Sequence, residues 1–574
     1  MRYAFVIDQS RCFGCHACSL ACKSEHEVPL GSYRTWVKYV EKGYFPDVRR
    51  TFSVLRCNHC ENPPCVEVCP VTALFQRDDG IVDFDRDVCI GCKACMQACP
   101  YDALYIHADR NTAEKCNFCA HRVEIELEPP CATVCPAEAI LVGDLDDQAS
   151  RVAQIVATKK VDVRKPEKGT IPKVFYIEGE PRALTPGASD PSGGYMWADR
   201  GKPSLRLPVR PARTTYAPLP GDAAGPVPAP PGSNPSAESN AIGAIGPAAW
   251  MATALPPAAA AQALAAAAMR GETDFYTGVW AGLSPARTVY DVAHKETPWG
   301  AHVSAYLWTK SIAAGAFVIA AMAPWLNLAD SVRLTLGAPL LGLLFLAVTS
   351  FFLIVDLKRP ERFWTILVRP NWSSWLARGA FIISAFGLLA TIWTASVILD
   401  MSGGPRPPDW VFALLRWPLI ASALATAGYS GYLFAQAKAR DFWQNPMLPL
   451  HLVVQCVAAG SAASLLLLAV GGNAAALGPT LVGALGVHLA LIFFGEVTVA
   501  HATVDAAKAA HAMTRGEYAV WFWSGVVLTL LSIASVLAFG PSGWAGIFSA
   551  LAALLGLIAY EHAWNYAGQA PPLS

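Results

Sequence analysis

Sixteen of the seventeen cysteines fall in four groups: Cys12, Cys15, Cys18, Cys22; Cys57, Cys60, Cys65, Cys69; Cys89, Cys92, Cys95, Cys99; and Cys116, Cys119, Cys131, Cys135. Each group holds three thiols close in sequence and a fourth after three further residues. Thiolates so spaced ligate cubane clusters, with the fourth cysteine reaching to a neighbouring one, and their chemistry is one-electron transfer. Four groups therefore read as four 4Fe-4S clusters. A disulfide framework belongs to small secreted domains, whereas this chain is long and opens almost at once on its first motif. Zinc ribbons use two C-x2-C pairs and need neither the third close cysteine nor the Cys-Pro that recurs at Cys69-Pro70, Cys99-Pro100 and Cys135-Pro136.

The stretch repeats itself. Cys12-Phe-Gly-Cys-His-Ala-Cys-Ser-Leu-Ala-Cys22 matches Cys89-Ile-Gly-Cys-Lys-Ala-Cys-Met-Gln-Ala-Cys99, and Cys57-Asn-His-Cys60 with Pro63-Pro64-Cys65 matches Cys116-Asn-Phe-Cys119 with Pro129-Pro130-Cys131. Two ferredoxin-like halves follow. Residues 1–180 resemble the four-cluster electron-transfer subunits of molybdopterin oxidoreductases and of some nickel-iron hydrogenases, with every ligand position filled. The spacing gives only the set of sixteen; the resemblance implies the pairing. It groups Cys12/Cys15/Cys18/Cys135, Cys116/Cys119/Cys131/Cys22, Cys57/Cys60/Cys65/Cys99 and Cys89/Cys92/Cys95/Cys69. Gly14 and Gly91 read as places where backbone passes close to a cluster. Lys93 and His16 read as solvated neighbours of the ligands.

The elements that must position these groups follow from composition. With 574 residues, 53% hydrophobic and 15% charged, the chain is too long for one domain and too apolar to be wholly soluble. Its 44 basic and 44 acidic residues balance, so nothing points to nucleic acid. The expected fold is an α+β double ferredoxin-like iron–sulfur domain (1–180), a Pro/Ala/Gly-rich linker with a short helix at 258–269 (181–296), an all-α membrane domain (297–565) and a tail (566–574). In the first domain, Met1–Ile7 reads as an edge strand, Tyr33–Tyr44 as strand, Asp147–Thr158 as helix and Lys173–Ile177 as a last strand.

Apolar segments near 303–325, 335–357, 375–399, 411–436, 449–470, 478–504, 520–539 and 543–563 are each close to the roughly 20 residues that a membrane helix needs. Eight spans return the C-terminus to the iron–sulfur side. Basic residues concentrate in the loops of that side, from Arg287 and Lys295 through Lys358, Arg359, Arg362 and Arg440 to Arg515, so the positive-inside rule places the iron–sulfur domain in the cytoplasm, at the inner membrane. Carriage of the domain across the membrane on a partner's twin-arginine signal would evade that rule.

Polar groups within spans are costly and informative. They gather at the ends nearest the iron–sulfur domain: His302, Tyr306 and Lys310 in span one, Asp356 in span two, Tyr429 in span four, His451 and Gln455 in span five, and Glu496, His501 and Asp505 in span six. His302, Tyr306 and Lys310 share a helix face. Lys310 and Glu496 lie at matching depth and are expected to pair. Taken singly, each such residue reads as an interhelical hydrogen bond. Together they suit a quinone, whose two oxygens need hydrogen-bond donors and a proton supply. Cys456, alone in span five, reads as a small core residue.

Residues 297–563 resemble the NrfD-type membrane subunits typified by polysulfide reductase. The resemblance rests on Pro298-Trp-Gly, Tyr306-Leu, Ala313-Ala-Gly315, Asp356-Leu-Lys-Arg-Pro-Glu-Arg-Phe363, Tyr429-Ser-Gly431, Phe442-Trp-Gln-Asn-Pro446 and Leu448-Pro449. It implies two four-helix bundles without haem and a quinone, menaquinone or ubiquinone, near the iron–sulfur part. Candidate quinone-binding residues are His302, Tyr306, Asp356, Arg359, Tyr429 and His451; Lys310, Glu496, His501 and Asp505 join them as candidate proton-handling groups. Lys310 departs from the family, where a small residue is usual. The chain reads as the quinone-reactive electron-transfer subunit of an oxidoreductase, its substrate half-reaction in a separate subunit carrying molybdenum or tungsten bis-pterin. Rival readings are a nickel-iron hydrogenase partner, a proton-translocating module and a non-catalytic redox sensor. We expect Cys92→Ser to remove or convert one cluster, read as lost iron and an altered paramagnetic resonance signal, while the membrane domain stays folded.

Overall fold

The structure is a computed structural model that describes residues 1–43, 46–189, 286–292, 295, 297–328, 332–402, 408–469, 472 and 474–574. The expected helix at 258–269 lies outside the described residues. The chain divides into two compact units. One comprises Met1–Trp36, Val54–Gly179 and His294–Ser574; the other comprises Val37–Ser53 and Glu180–Ala293. The iron–sulfur region and the helical region thus share one unit.

In that first unit, β1 (Tyr3–Asp8), β8 (Ile140–Asp144), β9 (Val161–Asp162) and β10 (Val174–Ile177) form a sheet in the order β8-β1-β10-β9. β1 runs antiparallel to β8 and parallel to β10, with Phe5 opposite Val142 on one side and Val174 on the other. It is therefore a central strand, not the expected edge. Ala4, Phe5, Val6 and Ile7 are all fully buried, which suits a strand covered on both faces. Two hairpins, β4 (Leu74–Gln76) with β5 (Val82–Phe84) and β6 (Tyr105–Ile106) with β7 (Ala113–Glu114), follow the Cys-Pro of the second and third motifs. Helix forms over Arg151–Thr158, shorter than expected, because Asp147 accepts from the backbone N–H groups of Ala149 and Ser150 through its side chain and carbonyl and turns the chain ahead of it.

The second unit holds most of β2 (Thr35–Lys42), most of β3 (Arg49–Arg56) and β11 (Ala286–Tyr290), in the order β11-β2-β3; β2 and β11 pair antiparallel from Ala286 opposite Lys42 to Tyr290 opposite Tyr39. Arg287 Nη2 lies 2.6 Å from Glu41 Oε2 and ties the two strands.

All eight expected spans are helices long and apolar enough to cross a membrane: Ala301–Met322, Val332–Val355, Trp375–Met401, Trp410–Ala435, Leu448–Leu468, Leu477–Val497, Ala519–Phe539 and Gly543–Gln569. Span six stops short of its expected end. It passes through a π turn at Phe493–Val497 and breaks before a separate helix, Val504–Thr514, that Thr503 caps by accepting from Ala506 N. Span eight instead runs six residues past its expected end, to Gln569. Spans one to four pack together, as do five to eight.

The two bundles meet where span one crosses span five. A Cβ on Gly315 would stand 2.0 Å from Cys456 O and 2.7 Å from Gly460 Cα, and one on Gly460 would stand 2.2 Å from Gly315 C. The backbones touch, and only glycine at both positions permits this. We expect Gly315→Leu to abolish monodisperse, folded protein in detergent size-exclusion and thermal-melt assays. Gly483→Ala, where nothing lies within 4 Å, should shift the melt by no more than about the half kilocalorie typical of surface changes.

Candidate functional site

The cysteine motifs turn tightly. Gly14 and His16 take φ 77° and 62°, and the repeat places Gly91 and Lys93 at 70° and 63°; His59 and Phe118 match in the same way at 42° and 59°. Alternation into the left-handed region aims successive N–H groups into one concavity, the kind of nest that receives an anion. At Gly91 a Cβ would also stand 2.6 Å from Lys358 Cβ and 2.9 Å from Asn111 O, so the residue has to be glycine for two reasons.

Around these turns the thiols gather. Cys57, Cys60 and Cys65 each have Cys99 as an electrostatic neighbour. Cys119 has Cys22, Cys116 and Cys131. Cys12 has Cys15 and Cys135, and Cys18 has Cys12. Cys69, Cys89, Cys92 and Cys95 line a single cavity. Among the described residues no three His, Cys, Asp or Glu groups converge as they would on one ion. Buried cations answer the thiols: Arg56, 1% exposed, places Nη1 3.2 Å from Cys131 Sγ, and Lys115, fully buried, donates to Cys116 O at 3.0 Å. His26 Nε2 lies 3.1 Å from Cys119 Sγ. Cations set among thiols, with nests of N–H groups, fit anionic iron–sulfur clusters.

The third motif also forms the wall of a second cavity, of about 220 Å³, within the first bundle. Cys92 and Trp299 stand at one end; Tyr306, Asp356 and Tyr429 supply its main polar groups; apolar side chains of spans one to four and of the segment joining spans two and three supply most of the rest. By comparison with the ~150 Å³ apolar cavity that takes benzene, a substituted six-membered ring fits. Lys93 Nζ reaches Asp356 Oδ1 at 2.9 Å, and Trp299 Nε1 donates to Cys92 O at 3.3 Å. Lys93 is thus not the solvated side chain expected: it is 9% exposed and answers Asp356, the one carboxylate that lines the cavity among the described residues. Burial pushes Asp356 above the usual carboxylate range, against the pull of Lys93. His302, half exposed, lies 3.9 Å from Asp356 at the rim.

The other expected residues fall elsewhere. Arg359 Nε donates to Arg110 O at 3.0 Å and serves docking. His501 and Asp505 lie beyond the end of span six; burial lowers the His501 imidazole, and Asp505 stands 4.0 Å from Lys508. Lys310 and Glu496 do not pair. Lys310 Nζ donates to Ser430 Oγ at 2.6 Å and Ala427 O at 3.0 Å in span four, whereas Glu496 accepts from Tyr560 Oη at 2.8 Å in span eight. Matching depth fixes height along the bundle, not which helix a side chain faces. Glu496 also lies 3.8 Å from His451, whose Nε2 is 2.8 Å from His488 Nδ1. Cys456 is fully buried, as expected of a core residue.

Tyr560, His488 and Glu561 escaped the sequence reading. With span eight expected to end at 563, Glu561 falls next to that end. The helix runs eight residues past that residue, about 12 Å along its axis, which sets Glu561 inside the bundle at 2% exposure. A charged residue within a longer apolar helix was the available signal.

Residues 48–145 match the family described as "4Fe-4S dicluster domain", and residues 291–570 match "Polysulphide reductase, NrfD". The chain is 45% identical to a tetrathionate reductase subunit of Salmonella typhimurium, over 32% of this chain and 76% of that protein. It is 40% identical to a polysulfide reductase polypeptide of Wolinella succinogenes, over 31% and 94%. It is 36% identical to the arsenate respiratory reductase iron-sulfur subunit ArrB of a Shewanella species, over 31% and 96%. Relatives of this kind are subunits of reductases, and the match to them spans most of their length but under a third of this chain. The chain therefore belongs to the family of 4Fe-4S iron–sulfur subunits of reductase complexes, and joins to that subunit, in one polypeptide, a multi-pass NrfD membrane domain.

Proposed function

We propose that this chain passes electrons through four 4Fe-4S clusters between a separate catalytic subunit, of the molybdenum or tungsten bis-pterin class, and a menaquinone or ubiquinone seated in the cavity of the first bundle. The observation that carries the reading is that one cavity brings together Cys92, Tyr306, Asp356 and Tyr429. The ligand sets are Cys12/Cys15/Cys18/Cys135, Cys116/Cys119/Cys131/Cys22, Cys57/Cys60/Cys65/Cys99 and Cys89/Cys92/Cys95/Cys69, supported by the thiol neighbours described above.

The clusters supply single electrons. The chain's own residues do the rest. Tyr306 and Tyr429 offer hydroxyl donors to the ring oxygens, and Asp356, held by Lys93, exchanges protons at the end nearest the third motif. Leucine, isoleucine and phenylalanine side chains keep water from the ring. The membrane is the inner membrane. Five basic groups of the iron–sulfur side, Lys295, Arg359, Arg362, Lys438 and Arg440, bond the iron–sulfur domain itself, so the cytoplasmic placement rests on the others, such as Arg369 and Arg515.

The complex should be purified with its partners, assayed for iron, molybdenum and tungsten, and then reduced and titrated with a quinone analogue. We expect about sixteen irons per chain, four for each of four clusters, molybdenum or tungsten in the partner, and clusters that reoxidise on adding the analogue. Tyr429→Phe should weaken analogue binding by the tenfold that about 1 to 1.5 kcal/mol of one hydrogen bond represents. Full clusters that ignore quinone would leave an iron–sulfur wire on a membrane anchor and would sink the assignment of the cavity.

A further inference from the structure

Lys310 is fully buried in the middle of span one, where spans one, four, five and eight meet. Its ammonium group donates to Ser430 Oγ at 2.6 Å and lies 5.0 Å from the Tyr429 ring centre and 5.8 Å from that of Tyr306, the two phenols that line the cavity. Among the described residues the acidic group that acts on it is Glu561 of span eight, and Lys310 in turn acts on Glu561; the two helices pack together. The two are not in direct contact as an ion pair within 4 Å. Glu561 Oε2 and Gln455 Oε1, on residues 2% and 1% exposed, meet no protein hydrogen-bond partner. Buried polar atoms are bonded either to protein or to ordered water, so an orphan carboxyl oxygen and an orphan amide oxygen in the protein core are each a place where water is held.

Beyond this layer stands a second set of protonatable groups. Tyr560 Oη donates to Glu496 at 2.8 Å, Glu496 lies 3.8 Å from His451, and His451 bonds His488 at 2.8 Å. All four are 5% exposed or less. Glu496 sits on the π turn Phe493–Val497, and His451 lies one helical turn from Gln455. No purely structural role requires a lysine, two glutamates and two histidines in the core of a membrane domain, where each charge is expensive. Among the described residues the cavity itself is lined by one carboxylate, Asp356.

We propose that Lys310 and Glu561 form a water-bridged proton relay between the quinone cavity and the His488–His451–Glu496–Tyr560 network of the second bundle. This inference rests on the reading of the cavity as a quinone site. Quinone reduction consumes two electrons, from the clusters, and two protons. One proton passes from the Lys310 ammonium through the Ser430 hydroxyl to a cavity phenol as that phenol's own proton moves to the quinone oxygen. Neutral Lys310 regains a proton from the Glu561 carboxyl through the intervening water, and the Glu561 carboxylate is reloaded from the second bundle. Asp356 serves the other oxygen. In quinol oxidation the same transfers run backward, and the proton leaves by way of Glu561.

The test uses the full chain in its complex, as wild type and as Lys310→Met, Glu561→Gln and Glu561→Asp. Three quantities are read: affinity for a quinone analogue, the rate of cluster reoxidation by it with its solvent isotope effect, and the redox difference infrared spectrum. We expect Lys310→Met and Glu561→Gln to bind the analogue with affinity near that of wild type, to reoxidise about a hundredfold more slowly and to show a larger isotope effect. Glu561→Asp, which keeps the carboxyl, should recover much of the rate. The wild-type spectrum should carry a protonated-carboxyl band that Glu561→Gln removes, a readout that does not depend on turnover. Wild-type rate and isotope effect in Glu561→Gln, with the band unchanged, would overturn the relay and leave the quinone site standing. Wild-type clusters that do not respond to quinone would overturn the site and the relay together.

Discussion

A desolvated ion pair, Lys93 with Asp356 at 2.9 Å, joins the third cysteine motif to the end of span two, and the cavity beneath depends on it. Both groups are largely buried, so separating them would leave an uncompensated charge; removing one partner of such a pair costs about 3 to 5 kcal/mol. Backbone bonds splice the same junction, with Lys358 N donating to Gly91 O and Arg359 N to Ile90 O, both at 3.2 Å. Gly91 has no side chain, and the segment after span two lies where one would be. The wall of the cavity is therefore built jointly by a cluster-motif loop and a membrane helix end. A molecule seated in that cavity would be held against the motif without having to leave the membrane.

The rest of the docking repeats one chemical device: polar side chains of the membrane domain, and Lys295 just before it, donate to carbonyls at the ends of short iron–sulfur helices and turns. Asn371 Nδ2 donates to Cys69 O at 2.8 Å, Ser374 Oγ to Val68 O at 2.8 Å, Arg362 Nη1 to Arg86 O at 2.9 Å and Lys295 Nζ to Leu104 O at 2.7 Å. Helices of four or five residues leave most of their carbonyls without internal partners, and these side chains satisfy them. Arg440 goes deepest. Its guanidinium, lowered to about 10 by burial, donates to Gln97 and to the carbonyls of Gln569 and Pro571, so the end of span eight is fastened to the same iron–sulfur helix.

How much of this was legible in the sequence depended on whether the signal was local. Cysteine spacing is fixed by covalent distance along the chain, and the eight spans by length and apolarity, so both could be read directly. Lys93 could not, because its partner is 263 residues away and nothing near it in sequence distinguishes a docked lysine from a solvated one. Met1–Ile7 looked like an edge strand because the two partners of β1, β8 and β10, lie far along the chain. Tyr306, Asp356 and Tyr429 could be grouped, as the shared cavity groups them, because all three sit toward span ends on one side, a property of topology. The partner of Lys310 was missed for a related reason. Hydropathy gives depth along a helix but says nothing of its rotation, and rotation turns Lys310 toward span four and Glu496 toward span eight.

Fusion changes what the docking surface has to achieve. Relatives such as the Wolinella polysulfide reductase polypeptide align over nearly their whole length with less than a third of this chain, so the membrane domain here is an addition to the unit that they represent. Joining two parts in one polypeptide makes their meeting intramolecular, with an effective concentration set by the connection, and weak contacts then suffice to keep them together. Polar bonds to carbonyls contribute little net affinity each but fix register closely. A surface rich in such bonds, with Trp299, Phe434 and Trp443 packed in the same core as Ile90 and Cys95, is suited to hold geometry more than to capture a free partner. Electron transfer makes that demand, because its rate falls steeply with each added ångström between cluster and acceptor, while the covalent connection already secures the encounter.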